Sequence, residues 1–120
     1  VSRNLDELVD ELRDFVRERE WEPYHDPKNL AMAVASEAGE LLELFRWVHS
    51  DHADEVCDDP KRRERVEEEI GDVGLCLLML CDRLEIDVRE AMRSKLEKNR
   101  EKFPVEEVRG GPSEVDGDSS

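Results

Sequence analysis

Apolar residues recur every three or four positions over four stretches of the chain, the period of helices with one buried face. Leu5, Leu8, Val9, Leu12, Phe15 and Val16 mark the first helix, which opens on the capping pattern Asn4-x-x-Glu7 and runs to about Glu20. Pro23 ends it, and Trp21 to His25 form a link carrying two aromatics and a histidine. Asp26-Pro27 supplies an N-cap and a first-turn proline for a second helix, from about residue 27 to about 49. That helix holds the apolar run Leu30–Ala35 and continues without a breaker through Ser36–Trp47. Residues 49–59 read as a polar, acidic loop containing Cys57. Asp59-Pro60 repeats the start signal for a third helix reaching about Leu84, charged over Lys61–Glu69 and apolar over Val73–Leu80. Asp87 with Glu90 opens a fourth helix to about Lys102, whose apolar stripe (Val88, Ala91, Met92, Leu96, Phe103) is narrow, and Pro104 closes it.

Four helices on mostly short links, with no strand signal, predict an all-α four-helix bundle forming one domain over residues 1–108. Residues 109–120, with Gly110-Gly111-Pro112 and Gly117-Asp118-Ser119-Ser120, have no periodicity and are expected to be a disordered tail. The second helix has apolar residues on more than one face (Met32, Val34, Leu41, Leu42, Leu44, Phe45, Val48). A thin fourth helix cannot cover them all, so a homodimer or homotetramer is expected.

No uncharged run approaches the ~18 residues of a membrane span, and the opening Val1–Glu7 lacks the apolar stretch of a signal peptide. Cys57, Cys76 and Cys81 form no CxxC pair and read as reduced thiols, so a cytoplasmic protein is expected. The net charge of −15 argues against a nucleic-acid partner, because phosphate backbones need basic faces. Acidic excess with few lysines, five against thirteen arginines, suggests a salt-loving source where counterions screen self-repulsion.

The acidic residues carry the chemistry. Glu37 and Glu40 stand three apart on the second helix, about 60° around its axis and roughly 4.5 Å along it. Glu69 and Asp72 repeat the arrangement just before the apolar half of the third helix. A lone ExxE on a solvated face means little. Two such pairs, each bordering a core-forming segment, predict a cluster of four carboxylates if the helices pack antiparallel. That cluster repels itself unless a hard divalent cation, Mg²⁺ or Mn²⁺, neutralises it.

Other groups are weaker signals. His49-Ser50-Asp51-His52 reads as exposed loop rather than a metal site. Glu22-Pro23-Tyr24-His25 has di-iron spacing but occurs once and is broken by proline, which excludes that cofactor. Trp21, Tyr24 and Trp47 serve equally well as stacking surfaces for a nucleobase or as staples for helix ends. Lys95 and Asn99 share a face of the fourth helix and read either as solvated surface or as a phosphate-contacting patch.

Taken together, Glu37-Ala38-Gly39-Glu40, twenty-eight residues, and Glu69-Ile70-Gly71-Asp72 resemble the ExxE…ExxD pattern of the MazG-like, all-α nucleoside triphosphate pyrophosphohydrolases. Arg19–Leu30, Glu40–Trp47 and Ser94–Pro104 are similar to segments of the dCTP pyrophosphatase branch, so the likeness covers roughly residues 4 to 108. The resemblance implies cleavage of a nucleoside triphosphate between its α- and β-phosphates, removing unwanted nucleotides. It implies that Glu37, Glu40, Glu69 and Asp72 hold Mg²⁺ and that Trp21 and Trp47 enclose the base. It places Lys95 and Asn99 near the phosphates and implies dimers or dimers of dimers. Two positions depart from that branch: Leu12 stands where it has a histidine, and Cys76 where it has a tyrosine. Both changes bear on base preference. The alternatives are the same chemistry on a phosphoribosyl-nucleotide, or a catalytically silent acidic bundle that binds a partner.

Overall fold

The Glu7 amide donates to the Asn4 side chain at 2.9 Å, and the helix this cap starts, α1, spans Leu5–Glu18. The structure, a computed structural model, describes residues 4–108; the expected tail over 109–120 lies outside the described residues. The remaining helices are α2 (Pro27–Glu43), α3 (Pro60–Arg83), α4 (Val88–Lys102) and the short α5 (Val105–Val108). No strand occurs among the described residues, as the periodicity predicts. Each cap inferred for α2, α3 and α4 is formed: the Asp26, Asp59 and Asp87 side chains accept from Asn29, Lys61 and Arg89 amides.

Several boundaries differ from the sequence reading. The first helix stops at Glu18, and Glu20 takes a left-handed φ of 52°, as Glu85 does with 55° beyond α3. Left-handed residues at helix ends are usually glycine, so a glutamate there leaves no mark in the sequence. The second helix ends at Glu43, six residues early. Beyond it the amides of Leu44, Phe45 and Val48 reach back three residues, to Leu41, Leu42 and Phe45, and the chain tightens into turns. Trp47 therefore does not lie on α2. The link Trp21–His25 contains a 3₁₀ turn at Glu22–Tyr24, and the acidic segment read as a loop is a 3₁₀ helix, Ser50–Asp58, that buries Val56. A 3₁₀ helix has a period of three, which a search for period 3.6 passes over.

The chain divides into two compact units, one ending at Glu85 and one beginning at Ile86. In the first, α2 and α3 run antiparallel along each other and α1 packs against α3. Leu30, near the start of α2, shares a cavity lining with Leu12 and Val16 of α1 and Met79 of α3. At the opposite end Leu44 shares a cleft lining with Val56 and Arg65. Arg13 joins α1 to α3 through Asp82, its Nε at 2.7 Å and its second guanidinium nitrogen at 2.6 Å from the same carboxylate oxygen. Arg83 donates to the Glu22 carbonyl at 2.9 Å and so ties the end of α3 to the link before α2.

The buried apolar set among the described residues is small: Leu12, Val16, Leu30, Val56, Val66 and Leu78. Met32, Leu42 and Ile70 stay more than half exposed, although each stands on α2 or α3. In the second unit α4 carries Met92 and Leu96, both exposed, and the Phe103 amide closes the helix on the Asn99 carbonyl at 2.8 Å.

Leu30 is the most buried side chain, with 3% of its surface accessible, at the junction of three helices. Replacing it with alanine removes three carbons from a packed site and is expected to lower unfolding free energy by about 2–5 kcal/mol. Urea denaturation checks this, and a loss below about 1 kcal/mol would show that the junction does not depend on it.

Candidate functional site

Glu37 sits in the middle of α2, and Glu69 and Asp72 sit one turn apart in the middle of α3. Because the two helices run antiparallel, the three meet across the seam. One carboxylate oxygen from each lies within 4.8 Å of the others. Glu40 stands outside this set and is exposed, yet its charge still acts on Glu69. Thus three of the four acids singled out by their spacing converge, and the fourth flanks them.

The electrostatics are those of an uncompensated site. Among the described residues, none of the four acids forms an ion pair with a lysine or arginine. Glu69 Oε2 is buried with no hydrogen-bond partner. A buried carboxylate oxygen normally has one, since losing its hydration without replacement is costly. The Glu69 carboxyl is accordingly pushed above the usual carboxylate range, first by burial and then by the charges of Glu37, Asp72 and Glu40. The orphaned oxygen and the clustered hard donors suit a divalent cation of the Mg²⁺ or Mn²⁺ type.

Cys76 follows Asp72 by one turn and is half-buried. Burial, then Glu37 and Asp72, raise its thiol. It therefore stays protonated beside the acids and is a poor nucleophile there. All three cysteines are free thiols.

Two cavities flank the acids along the same seam. Towards the start of α2 lies one of about 180 Å³ with a mixed lining: apolar Val9, Leu12, Val16, Leu30 and Met79 on one hand, and Arg13, Arg17, Glu22, His25, Asp82 and Arg83 on the other. Leu12, the residue that departs from the histidine of the resembled branch, is one of its walls. Trp21 stands on the nearby link, its ring 5.6 Å from Phe15 and 6.0 Å from His25. Towards the end of α2 lies a cleft of about 190 Å³, lined by Glu43, Leu44, Val56, Arg62 and Arg65. No motif marks these two arginines, though they precede Glu69 at the spacing of one helix face.

The two tryptophans are separated. Trp21 precedes α2 and Trp47 follows it, and the 17 residues between the ends of that helix span about 25 Å. Trp47 is 82% exposed, with the Arg46 guanidinium 4.8 Å from its ring centre. Tyr24 is also largely exposed. Lys95 and Asn99 stand one turn apart on α4, in the second unit, and the Asn99 Oδ1 is buried without a hydrogen-bond partner. His49 and His52 are exposed, each beside a carboxylate, Asp51 at 3.6 Å and Glu55 at 3.3 Å.

Comparison with known proteins assigns the class. The sequence model of the MazG-like family matches residues 32–114, which include both acidic pairs. The mouse protein dCTP pyrophosphatase 1 is 39% identical over 97 residues, and the human one 37% over 92. These alignments cover 81% and 77% of this chain but 57% and 54% of the relatives, so the chain spans just over half the length of the curated relatives it matches. The crystal structure of a pyrophosphatase from Archaeoglobus fulgidus superposes with a TM-score of 0.78 at 45% identity, covering 87% of this chain and 98% of that one. The chain belongs to the MazG-like family and has its all-α fold. No helix of the described residues is long and apolar enough to cross a membrane.

The raised Glu69 carboxyl has a measurable consequence in metal-free protein. A folded-state pKa above the unfolded value means that the folded state takes up the proton first. Stability is therefore gained as pH falls through the raised pKa, is complete below the ordinary carboxylate value, and is lost again on raising the pH. Glu69→Gln removes that titration. In EDTA its melting temperature should exceed the wild type's near neutral pH, with the difference closing as pH falls. Parallel melting profiles from pH 8 to pH 4 would mean that Glu69 is not held against its neighbours.

Proposed function

We propose that this protein is a divalent-metal-dependent nucleoside triphosphate pyrophosphohydrolase, releasing a nucleoside monophosphate and pyrophosphate. The observation that carries the reading is the trio Glu37, Glu69 and Asp72, convergent across two helices and without a compensating cation among the described residues. Family membership and the names of its relatives support the reaction class. Glu37, Glu69 and Asp72 would hold Mg²⁺, or Mn²⁺ in its place, with Glu40 beside them. Bound there, the ion supplies positive charge against the phosphate oxygens. Water attacks the α-phosphorus, the bond to the bridging oxygen breaks, and pyrophosphate leaves. In this reading Glu40, exposed and outside the trio, accepts the proton of the attacking water.

The substrate is a ribo- or deoxyribonucleoside triphosphate, and the reaction sanitises the nucleotide pool. The cavity beside Trp21 is the base subsite of this reading. With Leu12 as a wall in place of a histidine, one hydrogen-bonding contact to the base is replaced by packing, while the charged and polar residues of the rim remain available to it. Trp21 and Trp47 stand at opposite ends of a helix of about 25 Å, too far apart to enclose one base within a chain. A second copy delivers Trp47 to the pocket bearing Trp21, and the exposed Met32, Leu42 and Ile70 provide apolar surface for that contact. The protein is thus a homodimer or a dimer of dimers.

A panel of nucleoside triphosphates with Mg²⁺ and a pyrophosphate readout tests the reaction, and metal-dependent release from none of them would refute it. Asp72→Asn should lower both metal affinity and turnover by a hundredfold or more. Glu40→Gln should lower kcat similarly while leaving metal affinity within a few-fold, and equal loss of both in the two variants would remove Glu40 from the role of base. For the aromatics the split is opposite. Trp21→Ala and Trp47→Ala should raise KM several-fold with kcat within a small factor, as when binding is lost equally from ground and transition states. Loss of kcat at saturating substrate in folded protein would show that the rings position the phosphates instead.

A further inference from the structure

We propose that the cleft between the end of α2 and the start of α3 is an anion subsite, in which Arg62 and Arg65 hold the terminal phosphates of the substrate and the pyrophosphate released from it. The inference rests on the reading of the acidic trio as the hydrolytic centre.

The state of the two arginines points to a ligand. Arg13, Arg17, Arg46, Arg63, Arg93 and Arg100 each pair with a carboxylate. Arg19 and Arg83 each donate to a backbone carbonyl. Among the described residues Arg62 and Arg65 do neither, in a chain with 33 acidic residues against 18 basic ones. Both line a cleft of about 190 Å³. The single acid lining that cleft, Glu43, is already matched by Arg46 at 2.6 Å. What remains is a concave site with surplus positive charge on a strongly negative protein.

Its position gives the charge a use. Arg65 precedes Glu69 by one turn and Arg62 by two, roughly 6 and 10 Å along the same face of α3. On the other side of the acids, towards Leu30 and Met79, lies the cavity whose aliphatic walls are rimmed by charged residues. The seam between α2 and α3 therefore presents a partly apolar pocket, the acidic centre and the arginine cleft in sequence. A nucleoside triphosphate presents base, reacting phosphate and terminal phosphates in the same order. When water bonds to the α-phosphorus, the bridging P–O bond breaks and its electron pair leaves with the pyrophosphate. The charge then growing on that group lies on the side of Arg62 and Arg65. A planar guanidinium offers two parallel N–H donors to a phosphate, which suits it to this task better than an ammonium group.

Inorganic pyrophosphate is the probe. Calorimetric titration into the full chain, with EDTA and separately with Mg²⁺, should show binding in at least one condition. Substituting Arg62→Ala and Arg65→Ala together should weaken it at least tenfold, and the corresponding pair of lysine substitutions should recover part of the loss. Arg63→Ala removes the same kind of charge from the same helix, but Arg63 is engaged by Glu67 outside the cleft, so affinity should stay within about twofold of wild type. The pyrophosphate inhibition constant in turnover should rise in step with the titration. No pyrophosphate binding to wild type, an unchanged affinity in the double alanine variant, or an equal loss in Arg63→Ala would each overturn the proposal. Wild-type protein that hydrolyses no nucleotide would refute the hydrolase reading alone, because the titration decides the cleft without turnover. All three arginines are exposed, so circular dichroism of the variants should match wild type.

Discussion

Mutual repulsion among the carboxylates of Glu37, Glu69 and Asp72 is the constraint around which the first unit is built. Antiparallel packing of α2 on α3 forces these groups to within 4.8 Å of one another and buries one Glu69 oxygen without a partner. A fold selected for stability alone has cheaper residues for that position, since an apolar side chain of similar size costs no desolvation. Under the proposed reading, a divalent cation held by these carboxylates would offset that cost.

The surrounding structure offsets that repulsion with modest means. Only six apolar side chains are buried among the described residues, and they are supplemented by two long-range polar contacts, Arg13 to Asp82 and Arg83 to the Glu22 carbonyl. Exposed pairs of this sort contribute little each. Apolar side chains left open on α2 and α3 amount to unfinished burial. In the proposed dimer a second copy would cover that surface and bring its Trp47 towards the far end of the helix.

The acids also organise what lies to either side. Apolar walls and an aromatic ring stand towards the beginning of α2, and two arginines, unpaired among the described residues, towards its end. The proposed substrate, with an aromatic base, a reacting phosphate and charged terminal phosphates, follows that order. The polarity of the seam thus follows from one topological fact, the antiparallel course of two helices whose charged and apolar halves are arranged in opposite order.

Local physics made much of this legible. Asn4, Asp26, Asp59 and Asp87 announce helix starts because a side-chain cap is a contact between residues two or three apart, written wholly within the sequence. The acidic pairs were visible for the same reason, being one turn apart on their own helices. Helix ends were less legible: Glu20 and Glu85 hold left-handed backbone without glycine, and α2 stops at Glu43 inside an uninterrupted apolar run. What no local pattern contains is the registry between distant segments. That Glu37 meets Glu69 and Asp72 while Glu40 stands aside depends on how α2 slides against α3. The cavity lined by Leu12, Leu30 and Met79 depends on the packing of distant segments in the same way. So does the pairing of Arg62 and Arg65 with a cleft under Val56. The sequence alone determined which residues bear charge and where helices begin. Tertiary packing alone decided which of those charges face one another, because that follows from the sum of many weak contacts rather than from any one of them.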